Sequence, residues 1–119
     1  MTQSLYERMG GAKGILSLVD DIIALHRKNP VVGVRFEKVD LKRLREKAIE
    51  FFTMGTGGPA AYTGKDMREA HRGMNISEQE FVAVLDDILA AMDKNKLDDQ
   101  AKREVLAIAY SLKGEVIRV

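Results

Sequence analysis

The stretch Gly57-Gly58-Pro59-Ala60-Ala61-Tyr62-Thr63-Gly64-Lys65-Asp66-Met67-Arg68-Glu69-Ala70-His71 decides between two ways of folding this chain. On both sides of it apolar residues recur at helical spacing, and those stripes alone fit a four-helix bundle. The glycine-rich run from Gly55 to Gly64 is long for a bundle, where helix connections span about 2 to 8 residues. The helix that follows, centred on Met67 to His71, is too short to contribute a full face. Both features make sense if this segment is draped over something other than protein.

Working outward, Ile15, Leu18, Val19 and Ile22 recur at spacings of three and four, the mark of one apolar helix face. Gly10-Gly11 separates that helix from a short opening one around Leu5 to Met9. Pro30 cannot donate an amide, so the long helix is predicted to end near Lys28 or Asn29. Asp40 is a plausible N-cap for the next helix, with Leu41, Leu44, Ala48 and Phe51 or Phe52 along one face. Gly55 to Pro59 closes it. Gly73 is a natural stop for the His71 helix. Ser77-Glu78-Gln79-Glu80 is a capping box, followed by the stripe Phe81, Val84, Leu85, Ile88, Leu89 and Met92. A final helix is predicted from near Asp98, carrying Val105, Ile108, Ala109, Leu112 and Val116, with the tail Val116 to Val119 helical or frayed. The expectation is an all-α fold in one domain, residues 1–119.

Composition narrows the function. Lys and Arg total 19 against 18 Asp and Glu, a formal charge of +1. A duplex nucleic-acid binder needs a concentrated basic face, and the one basic stretch, Lys42 to Lys47, is interrupted by Glu46; it reads as a solvated helix side. No cysteine is present, which excludes disulfides, thiolate zinc sites and covalent haem attachment through Cys-x-x-Cys-His. No apolar run approaches about 18 residues and no targeting signal is evident, so a cytoplasmic protein with no membrane partner is expected.

His71 is one of two histidines, the other being His26. A neutral imidazole on a short helix is the usual way to hold haem iron through one axial bond. Its context makes that reading specific. Leu5-Tyr6-Glu7-Arg8-Met9-Gly10-Gly11, then Phe51-Phe52 before Gly57-Gly58-Pro59, then Tyr62-Thr63-Gly64 and the helix ending in His71 resemble, in order and spacing over more than 100 residues, the truncated haemoglobins of the first group.

That resemblance implies a two-over-two α-helical sandwich around a b-type haem, iron protoporphyrin IX. It makes His71 the proximal iron ligand and Phe36 the aromatic packed on the haem face. Lys47, Tyr62, Thr63 and Arg68 match positions near the haem propionates, where charge-assisted hydrogen bonds are reasonable chemistry. Phe52 matches an aromatic beside an internal ligand tunnel; a plain core role suits it as well. Many relatives carry a distal tyrosine and glutamine, but here the corresponding positions read Ile23, Leu44 and Ala48. None can donate a hydrogen bond to a bound ligand.

Lys47 has two readings, a propionate partner or, when deprotonated, a distal iron ligand. His26 reads as a packing or surface residue. The resemblance implies binding of dioxygen, carbon monoxide or nitric oxide by a monomer. The alternative is a nitric-oxide dioxygenase or other haem redox enzyme served by an electron-donating reductase. Peroxidase chemistry would need a distal acid–base group that Ile23, Leu44 and Ala48 do not supply.

Overall fold

The computed structural model describes residues 3–59 and 67–118, with Met67 and Arg68 described by their backbone alone. Among them are helices α1 (Leu5–Arg8), α2 (Gly11–Lys28), α3 (Leu41–Gly55), α4 (Met67–His71), α5 (Glu78–Lys94), α6 (Asp99–Ser111) and α7 (Lys113–Val116), with a 3-10 turn at Gly33–Phe36. Polar caps start α3, α5 and α6, whereas α2 begins at the Gly10 turn without one. Asp40 accepts from the Arg43 amide at 3.2 Å, Ser77 from Glu80 at 3.1 Å and Asp98 from Ala101 at 2.8 Å. Ser4 does the same for α1 and Glu7 returns the bond, a second capping box that the spacing Ser4-x-x-Glu7 already encoded.

The helices stack as a two-over-two sandwich. α2 packs on α3 and crosses onto α5, which packs on α6. Ile15, Leu18 and Val19 of α2 and Met92 of α5 are fully buried where these layers meet. At about 25 cal/mol per Å² of apolar surface, each such side chain contributes roughly 1.5–3 kcal/mol. α1 closes one end: the Tyr6 amide donates to Thr56 carbonyl at 2.8 Å, and Arg8 pairs with Glu104 of α6 at 2.6 Å.

The Gly10-Gly11 turn has positive φ at both residues, +99° and +64°. It folds α1 so tightly onto α2 that a Cβ at Gly14 would stand 1.8 Å from the Met9 carbonyl oxygen. A backbone atom cannot rotate away. Gly14→Ala is therefore expected to destabilise the protein by about 3 kcal/mol, at the upper end of overpacking costs. A denaturant midpoint equal to wild type would show that the turn simply relaxes.

Two expectations are corrected at the C-terminus. The last helix is not continuous: Leu112 leaves helical geometry (φ −92°, ψ 1°) and separates α6 from α7. The tail is neither helical nor frayed at Ile117. That residue is extended and forms a parallel bridge with Ile76, and the Arg118 amide donates to Ile76 carbonyl at 3.0 Å. The break has a structural use, because α7 is the element on which α4 packs.

Candidate functional site

The apolar stripe of α3 is not buried within the protein core, although Ala48 and Phe52 pack against its edge. Leu44, Ala48, Phe51 and Phe52 stay half-buried, and Thr53 is the buried residue of this helix. These side chains instead form one wall of a cavity of about 630 Å³, within the roughly 300–1,000 Å³ usual for small-molecule and cofactor sites. α2 adds Ile22, Ile23 and His26, α5 adds Val84 and Ile88, and α6 adds Ile108. Phe36 enters from the 3-10 turn. His71, half-buried at the end of α4, faces the same space.

Seven of the residues singled out from sequence thus meet around one cavity: Ile23, Phe36, Leu44, Lys47, Ala48, Phe52 and His71. Tyr62 and Thr63, and the side chain of Arg68, lie outside the described residues. An extended apolar wall with an imidazole on a separate helix suits a large, flat, hydrophobic group that carries a metal. That donor set fits haem.

Among the described residues, charge on the cavity wall sits in exposed or partly buried side chains and at one buried spot. Arg35 holds Glu80 through Nε and Nη2 and also donates to Met74 carbonyl at 3.0 Å, clamping the 3-10 turn to the start of α5. The guanidinium holds the Glu80 carboxyl below its usual range. Lys47 Nζ stands 3.4 Å from Glu50.

The buried spot was missed in the sequence. His26 is 8% exposed, and its Nδ1 lies 2.7 Å from Asp87 Oδ2 on α5. Asn29 donates to the same carboxylate oxygen at 3.1 Å, and the imidazole stacks on Phe36 with centroids 5.4 Å apart. One signal was available: Asp87 falls three residues after Val84, on the apolar stripe of α5, where a charge needs a partner.

Burial lowers the His26 pKa, and the Asp87 hydrogen bond and charge oppose that shift without overcoming it. The neutral ring is therefore the native form near neutrality. In the unfolded chain histidine titrates near about 6.5, so as pH falls below that value the unfolded state takes up the proton first. Stability from this residue is full above about pH 6.5 and is lost as pH falls through the lower native value. His26→Asn is expected to flatten the fall of denaturant stability below about pH 6.5; an unchanged slope would assign the acid sensitivity elsewhere.

Fold and cavity define a class of small helical protein built to enclose one prosthetic group. Residues 4–117 match the Bacterial-like globin family. The chain is 28% identical over 115 residues to the group 1 truncated haemoglobin of Tetrahymena pyriformis, covering 97% of this chain and 95% of that protein. It is 32% identical over 121 residues to that of Chlamydomonas moewusii, covering 98% and 69%. The crystal structure of the Tetrahymena pyriformis protein in its Fe(III) form superposes with a TM-score of 0.95 at 26% identity, over 98% of this chain and 100% of that one. The group II truncated haemoglobin of Bacillus anthracis is similar too, with a TM-score of 0.87 at 25% identity over 99% and 94%. This chain belongs to the bacterial-like globin family, as a group I truncated haemoglobin. It is a globin that binds haem and small gaseous ligands. No helix among the described residues is long and apolar enough to cross a membrane.

Proposed function

We propose that this chain holds a b-type haem through His71 and binds dioxygen, carbon monoxide or nitric oxide in a distal pocket without polar donors from Ile23, Leu44 or Ala48. The observation that carries the reading is the juxtaposition of His71 with the apolar wall of α3 across one cavity. When bound, the haem supplies an iron centre that takes up diatomic gases. The protein's part is to hold, orient and exclude water. His71 would supply the nitrogen that holds the iron, and Phe36 and Phe52 would offer apolar surface around the bound group. Lys47, Tyr62, Thr63 and Arg68 serve the propionates. The protein acts as a cytoplasmic monomer, with an electron-donating reductase keeping the iron ferrous.

Lys47 belongs with the propionates for a physical reason. Ligating iron would require it to give up both its proton and its ion pair with Glu50. Hemin titration of the apoprotein is expected to saturate at one equivalent. The ferric spectrum should then remain free of a lysine-ligated low-spin form across neutral pH. Absence of saturable uptake would overturn the haem reading, whereas a low-spin form growing in with rising pH and absent from Lys47→Ala would make Lys47 the distal ligand.

A further inference from the structure

We propose that the buried His26–Asp87 pair is a proton-binding site coupled to electron transfer at the haem, taking up one proton when the iron is reduced. The inference rests on the haem reading above and concerns residues which that reading leaves without a role.

The geometry fixes the chemistry of the pair. An ionised carboxylate only accepts hydrogen bonds, so His26 Nδ1 carries the hydrogen that lies between it and Asp87 Oδ2 at 2.7 Å. The lone pair is then on Nε2, and among the described residues no group hydrogen-bonds that atom. Asn29, which donates to Oδ2 at 3.1 Å and accepts from the Val31 amide at 2.9 Å, locks the carboxylate in place. His26 lines the cavity and stacks on Phe36, which lines it too. A change of charge on the imidazole is therefore felt inside the cavity through low-dielectric surroundings, where Coulomb interactions are strong.

Other charged groups on the cavity wall are poorly suited to the task. From α5, Glu80 is held by Arg35 of the 3-10 turn, which pushes its carboxyl away from the neutral range. From α3 and its cap come Lys47, paired with Glu50, and Arg43 with Asp40, whose carboxylate caps the helix. Histidine is the side chain whose ordinary titration lies between pH 5 and 8. The chain has two, and His71 is assigned to the iron.

The balance is simple. A one-electron donor converts ferric to ferrous haem, removing one unit of positive charge, and a solvent proton adds to His26 Nε2 to give imidazolium. Asp87 makes this possible, since its carboxylate is the counter-charge without which a buried imidazolium would be strongly disfavoured. The oxidised cavity repels that proton and the reduced cavity does not.

The test measures the haem midpoint potential against pH in the reconstituted wild type, His26→Asn and Asp87→Asn. Asn at position 26 keeps an N–H donor for Asp87 but cannot titrate. Where one proton accompanies one electron, each tenfold change in proton activity moves the potential by about 59 mV. The wild-type potential is expected to fall more steeply than that of His26→Asn between about pH 5 and 7. In Asp87→Asn the steep segment should move to lower pH. Haem propionates contribute equally to all three curves and cancel in the comparison. Parallel curves for wild type and His26→Asn would overturn the proposal while leaving haem binding intact; failure to take up hemin would overturn both. Should the variants not fold, proton uptake on reduction of the wild type, followed with a pH indicator, decides: release or no uptake near pH 6 sinks the idea.

Discussion

His71→Gly is expected to lose the characteristic spectrum of a histidine-bound haem, and added imidazole should restore it. The glycine variant leaves an opening of imidazole shape at the end of α4, on the cavity wall. Removing groups that merely orient a metal ligand costs about 10–100-fold in metal affinity, so loss of the ligand itself should cost at least about 100-fold in hemin affinity. Apolar packing against Phe36, Leu44 and Phe52 remains, and weak uptake is therefore expected rather than none. Stopped-flow transfer of hemin to a competing apoglobin measures the loss. Retention equal to wild type would assign the axial role to another residue, and the spectrum with and without imidazole would show whether that residue is a nitrogen donor.

Ile23→Tyr is expected to slow dioxygen release by roughly tenfold to hundredfold. Dioxygen takes on negative charge when it binds, and a hydrogen bond to a charged acceptor is worth about 1.5–3 kcal/mol. Ile23 lines the cavity from α2 and is only half-buried, so a longer side chain has room to turn inward. Carbon monoxide carries little charge, and its release should change far less. That contrast separates a new hydrogen bond from a general narrowing of the exit, which would slow both gases alike. Laser photolysis and stopped-flow displacement measure the two off-rates. Equal rates in wild type and variant would mean that position 23 does not face the ligand or that another donor already acts.

Much of the helical plan is written in local chemistry. Pro30 stops α2 at Lys28, and Asp40, Ser77 and Asp98 start α3, α5 and α6 at the expected places. Caps and breakers act within three or four residues, so they are legible without a partner. The short helix ending at His71 appears as α4, and the order of motifs around it pointed to a truncated globin. What the stripes meant was less legible. The stripe of α3 and that of α2 look alike as sequence, yet Ile15 and Leu18 enter the core while Leu44 faces a cavity. Periodicity reports which side of a helix is apolar; it does not report what lies opposite.

By itself, then, the sequence determined where most of the helices begin and end, that glycines make the turn between α1 and α2, and that His71 lies among motifs resembling those of a truncated globin. Tertiary structure alone decided three things. It broke the last helix at Leu112, so that α7 could support α4. It paired Ile76 with Ile117. It also brought His26 and Asp87, 61 positions apart, to 2.7 Å beneath Phe36. Each of these depends on side chains or backbone groups from distant segments finding partners away from water. Such pairing is a property of the packed chain, and no local pattern of residues carries it.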